Sequence, residues 1–223
     1  MATGNYKFYP YLSTEVAFLG LMSDFKDFLA LQPDRIYLRS GPKDPTSGLR
    51  PREILGLVVM ANVAMYESGD LWIPGWIVDA NGDQLSEDKA HDGAIQCISG
   101  RRKGAYMRFE QTMATEVSAN ASPSDIEGAI LKEVKRKSAR DDDYAKGTAL
   151  VLFVDYMGRL NDLQQLARDV SYSKYQAIYL VCVAKKDLSE YVCVVLKNPS
   201  DTLGPISVKF HRADGIAEVS RLL

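Results

Sequence analysis

Cysteine and histidine are scarce, at three and two in 223 residues. A low, odd cysteine count in a chain of this size excludes a disulfide framework. Cys97, Cys182 and Cys193 have no CxxC spacing and lie in apolar runs, so they read as buried thiols in a reducing cell. Two histidines without a cysteine pair argue against zinc, and neither His91 nor His211 has a companion motif. An excess of either charge is also missing. Lys and Arg number 27 and Asp and Glu 29, a net of −2, which excludes a strongly basic nucleic-acid coat, an acidic tail protein and a disordered chain. Long apolar runs are absent. Val16 to Met22 falls far short of the roughly 20 residues that span a membrane. Met1 to Pro10 lacks the charged-then-apolar order of a signal peptide. A cytoplasmic protein with no membrane partner is expected. GxSxG, GxxxxGK[ST] and GxGxxG do not occur, so serine-hydrolase and phosphate-cradling loops are unsupported.

What is present is ordinary globular composition, 46% apolar and 25% charged. Ser13 or Thr14 caps an expected helix over Thr14 to Leu31, with Phe18, Met22, Phe25 and Leu29 along one stripe. Ile36 to Arg39 is a short strand candidate. Gly41 to Gly48 reads as a loop and sets the expected boundary, with a helical N-terminal element over 1–48 and the main domain over 49–223. Pro51 opens a buried helix that stops at Ser68-Gly69. Three strands are expected over Leu71–Asp79, Gly93–Ile98 and Ala105–Met113, with a turn at Asn81-Gly82 and a polar loop from Asp83 to Ala90. A helix from Ser122 to Arg140 follows, which Ser122 or Ser124 can cap, and Glu127 three residues after Ser124 completes a capping box. After a charged loop over Asp141–Lys146 come a doubly covered strand over Thr148–Tyr156, a helix over Arg159–Val170 and a second buried strand over Ala177–Val183. Tyr191–Lys197 and Ile206–Phe210 read as added strands. The first three strands should form an antiparallel meander, and the later helical crossovers imply parallel neighbours. The expected fold is α/β, a mixed central sheet flanked by helices, with a β tail.

Chemistry concentrates in the meander. Asp92 opens its second strand, Glu110 lies near the end of its third, and Glu53 and Glu67 sit at the two ends of the preceding helix. Carboxylates on neighbouring strand ends can share Mg²⁺, which takes few protein acids plus water and phosphate oxygens. His91-Asp92-Gly93, then Phe109-Glu110-Gln111-Thr112 on the next strand, resembles the PD-(D/E)xK restriction-endonuclease-like superfamily. The element order from Leu49 to Val183, about three-fifths of the chain, is similar to that superfamily's α-β-β-β-α-β core. The resemblance implies a metal-dependent deoxyribonuclease with Mg²⁺ or Mn²⁺ on Asp92 and Glu110, and the order of elements offers Glu67 as a third acid. Thr112 stands where the family's E-x-K lysine is expected. In this superfamily the lysine sometimes migrates to the following helix, where Lys132, Lys135 and Lys137 lie. Lys137 falls within about 20° of Ile126 on a helical wheel, while Lys132 is nearer the helix start. Arg101, Arg102 and Lys103, at the turn between the motif strands, would grip DNA phosphates.

Plainer readings stand beside these. Asp92-Gly93 is a common turn dipeptide, and Glu110 reads equally as a solvent-face acid paired with Arg108 or a cross-strand lysine. The cations of 132–140 suit a solvated helix C-terminus. Asp155, at a strand end, is ligand-prone but also an ordinary turn acid. The missing E-x-K lysine makes a non-cutting module that binds protein or nucleic acid the alternative function. The helix over Thr14–Leu31 would then be a docking or homodimer surface.

Overall fold

In the computed structural model the described residues are 7–10, 51–78, 81, 91–114, 121–139, 142–154, 160–185, 189–198, 205–211 and 217–222. The expected helix over Thr14–Leu31, the strand at 36–39, the loop at 41–48, the boundary at 48/49, the loop at 83–90 and Asp155 lie outside them.

The chain divides into two compact units. The first is Met1–Phe109 with Val208–Val219, the second Glu110–Ser207 with Ser220–Leu223. In the first unit, β1 (Lys7–Pro10) is followed by α1 (Pro51–Ser68), then β2 (Trp72–Val78), β3 (Ala94–Cys97) and the start of β4 (Tyr106–Met113). Helix α1 begins at its proline and ends where Gly69 turns to φ +69°, as the breaker residues dictate. Leu55, Leu57, Val58, Val59 and Ala61 are wholly buried. The Trp72 indole N–H donates to the Ser68 hydroxyl and ties the helix end to β2. Strands β2, β3 and β4 pair antiparallel, as the turn signals between them require. Trp72, Ile95 and Cys97 fill the face toward α1, while Tyr106, paired with Gln96, is exposed on the other.

In the second unit, α2 (Pro123–Ser138) and a single turn, α3 (Asp142–Ala145), lead to β5 (Thr148–Val154). Helix α4 (Leu163–Asp169) then crosses to β6 (Ala177–Val183), and β7 (Glu190–Lys197) follows. All seven residues of β5 are buried, and β5 and β6 run parallel, the outcome expected of a doubly covered apolar run with a helical crossover. Ile126, Ile130 and Val134 of α2 join Leu150, Leu152, Val154 and Leu166 in this unit's core. The capping box lies two residues earlier than the spacing suggested. Ser122 caps α2 with Asp125, and Glu127 instead accepts from the backbone N–H groups of Asn161 and Asp162. The charged stretch expected as a loop folds into α3 because the Thr148 hydroxyl donates to the Tyr144 carbonyl and draws that turn onto β5.

The architecture corrects the expected fold class. The strands, with β8 (Ile206–Phe210) and β9 (Ala217–Arg221), form one mixed nine-stranded sheet in the order β1 to β9. Among the described residues only three helices exceed one turn, of 18, 16 and 7 residues. The structure is therefore mostly β, not a sheet flanked by helices, and the restriction-endonuclease-like core is set aside. The reason is local. β7, β8 and β9 follow one another with no described helix between them, and the helix expected over Arg159–Val170 starts only at Leu163, after its Asp162 cap. Among the described residues no helix is long and apolar enough to cross a membrane.

Candidate functional site

Strand β4 changes character along its length. Tyr106 is exposed, but Phe109, Glu110, Gln111 and Thr112 are all buried. Glu110 is 2% exposed, so it is not a solvent-face acid. Lys137 projects from the last turn of α2, itself 6% exposed, and its ammonium donates to Glu110 Oε1. The Tyr144 hydroxyl donates to Glu110 Oε2. The acid is thus held at both oxygens by groups 27 and 34 residues away in sequence. Charge-assisted bonds of this kind are roughly twice as strong as neutral ones.

A second buried acid, Glu133, lies on α2 four residues before Lys137. Glu133 is 5% exposed and accepts from the Thr112 hydroxyl and from Arg136. Burial pulls its pKa upward. The hydrogen bonds from Arg136 and Thr112, with the charges of Arg136 and Lys137, outweigh that and hold the carboxyl below its ordinary value. Glu110, Lys137, Glu133 and Arg136 therefore form two acid–cation couples, with Thr112 and Tyr144 as hydroxyl partners.

Of the residues singled out from sequence, Glu110, Thr112 and Lys137 fall in this second unit in or beside one cluster. Lys132 is exposed on α2 and has no place in it. Glu133, Arg136 and Tyr144 were not anticipated. Glu133 carried a usable signal. It lies three residues after Ile130 and four before Lys137, so two charged residues continue an apolar stripe. Tyr144 carried none, since it sits in a stretch reading as a charged loop.

The remaining candidates belong to the first unit. Asp92 is half-buried, and its N–H donates to the Phe109 carbonyl at 2.9 Å, which fixes its place at the mouth of β3. Gly93 has φ +127°, and a Cβ there would meet Leu57 Cδ1 at 2.4 Å. The Asp-Gly pair thus serves the turn and the packing of α1, whatever else Asp92 does. His91 Nε2 lies 3.2 Å from the Arg108 guanidinium. Glu67 is exposed near the end of α1, and Glu53, 7% exposed, contacts Arg52 at 3.5 Å. Arg101, Arg102 and Lys103 are exposed in the β3–β4 turn. Among the described residues no group of three or more His, Cys, Asp and Glu side chains could hold a metal. The three cysteines are free. Cys97 and Cys193 are buried, and burial of the Cys182 thiol pushes it up to about 12.

No family model, curated protein or solved structure matches this chain.

Proposed function

We propose that the protein is a metal-dependent nuclease that hydrolyses phosphodiester bonds in DNA, in a cytoplasmic setting. One observation carries the reading. Thr112 occupies the position where a lysine would follow the acid, and Lys137 from the next helix meets that acid instead. The support lies in these side chains and not in the architecture. Mg²⁺ and Mn²⁺ bind through one or two carboxylates completed by water and phosphate oxygens, and Glu110 is a hard donor of that type. Asp92 enters from the sequence resemblance alone and Glu67 from the sequence order of elements alone, and both belong to the first unit.

The metal would polarise the phosphoryl oxygen and lower the pKa of a bound water. Lys137 keeps two further N–H donors on Nζ, able to hold an attacking water or a phosphate oxygen while offsetting charge. Tyr144 fixes the plane of the Glu110 carboxylate through Oε2. Glu133 holds the Thr112 hydroxyl, so Thr112 has a positioning role and not the lysine's role. Arg101, Arg102 and Lys103 would grip backbone phosphates without reading sequence.

Cleavage of single- and double-stranded DNA with Mg²⁺ or Mn²⁺, run beside Asp92→Asn, tests this. Cutting that the variant loses is expected. No cutting with either metal overturns the reading. A second reading has its own observation. Both Glu110 oxygens are already engaged, at 2% exposure, which suits a structural ion pair in a non-cutting module that binds protein or nucleic acid. That module would show no metal affinity and indifference to Asp92→Asn. A docking or homodimer role for 14–31 lies outside the described residues.

A further inference from the structure

The β3–β4 turn of the first unit carries three consecutive cations that the proposed cleavage chemistry does not need at the reacting atoms. Arg101, Arg102 and Lys103 are exposed, and among the described residues their side chains have no hydrogen bond or ion pair. Their turn is nonetheless well ordered. Cys97 N–H donates to the Ala105 carbonyl at 2.9 Å, Gly104 N–H to the Cys97 carbonyl at 2.8 Å, and Ala105 N–H to the Arg102 carbonyl at 2.8 Å. Gly100 has φ +64°, and a Cβ there would meet Asp70 Oδ1 at 1.7 Å, so the Asp70 carboxylate closes the root of the turn. Asp70 sits at the root of the turn, and the tip carries the three cations.

Next to these cations the open face of the meander is apolar and aromatic. Tyr106 is 44% exposed, Leu71 46% and Ile98 37%. They are neighbours by backbone bonding. Ile98 N–H donates to the Leu71 carbonyl at 2.9 Å, and Tyr106 pairs with Gln96, two residues before Ile98. A basic turn beside an exposed tyrosine on a sheet face matches one ligand chemistry, a strand of phosphates whose bases are free to stack. Duplex DNA offers the phosphates but hides its base faces, whereas a single strand offers both.

We propose that the β3–β4 turn is a single-strand nucleic-acid grip, in which Arg101, Arg102 and Lys103 hold phosphates and Tyr106 stacks a base against Leu71 and Ile98. The inference shares nucleic acid as partner with the reading above and adds the strand state of the substrate. The site reads no sequence, because stacking and charge are base-tolerant.

The test is fluorescence anisotropy in EDTA with labelled oligo-dT, oligo-U and a duplex of equal length, with phosphatidylserine vesicles as a separate probe. Single strands should bind more tightly than the duplex. The triple change Arg101→Gln, Arg102→Gln, Lys103→Gln should flatten the log–log salt slope by about 2, from ~0.7 per phosphate contact on a single strand. Tyr106→Leu should weaken single-strand binding about fivefold or more, and Tyr106→Phe should keep it. Equal affinity for duplex and single strand overturns the inference. So does wild-type binding by both the triple variant and Tyr106→Leu, or binding to vesicles in place of oligonucleotides. Cleavage is scored separately with Mn²⁺. Single-strand binding that depends on these residues without cutting overturns the nuclease reading alone. Cutting indifferent to these residues overturns this inference alone.

Discussion

Lys137 is the residue on which most of the account turns. A buried ammonium against a buried carboxylate costs desolvation that only good geometry offsets. Removing one partner strands the other charge. Lys137→Met should therefore destabilise the fold by about 3–5 kcal/mol, and adding Glu110→Gln should recover part of the loss. Urea denaturation of the two singles and the double checks this, and additive losses would contradict the coupling. Glu133 sets a pH dependence. Its folded pKa lies below the ordinary glutamate value, so its contribution is fully present above that value and is lost as pH falls through the lower folded one. The acid limb of a stability–pH curve should accordingly shift in Glu133→Gln, and an unchanged limb would count against the pairing. Cys182, pushed up to about 12, should stay a thiol at pH 8 and resist alkylation until the protein is unfolded. Rapid labelling of native protein would contradict that.

The elements show which signals in a sequence are physical and which are ambiguous. Ser122 with Asp125 closes the start of α2, and the Ser122 side chain and backbone hydrogen bonds lower the Asp125 pKa. Ser122→Ala should cost about 1 kcal/mol, read as a lower thermal midpoint, while Ser124→Ala should cost little. Ser122 and Ser124 both fit a capping pattern, and only the backbone geometry chooses between them. Gly93→Ala should destabilise by about 1–3 kcal/mol through its φ and the contact with Leu57. Where apolar residues are dense and bounded by breaker residues, as in α1, β5 and β6, the element was legible from sequence. Lys137 was legible only as one of two candidates, its angular place beside Ile126 weighed against the place of Lys132 nearer the helix start. β1 and β9 were not expected as strands. β1 has only one half-buried residue and β9 none fully buried, so ladder hydrogen bonds, not a core face, define them.

At the scale of the molecule, the meander and the parallel β5–β6 pair were legible, but the layer architecture was not. Short helical stretches and strand-rich tails look alike when each is scored alone. What decided the outcome was that successive strands simply added to one sheet, with few helices among the described residues. The candidate site was half legible. Glu110 could be singled out from pattern, Lys137 only as one of two helix lysines, and Arg136 lies three residues from Glu133 on one helix, while Tyr144 depends on tertiary placement. Under the proposed function, Glu110 with Lys137 is a metal-using pair and not merely a buried ion pair. Calorimetric titration of the intact protein with Mn²⁺, beside Glu110→Gln shown by circular dichroism to be folded, tests it most directly. Saturable binding that the variant weakens at least tenfold is expected. No saturable binding, or equal binding by both proteins, would contradict it.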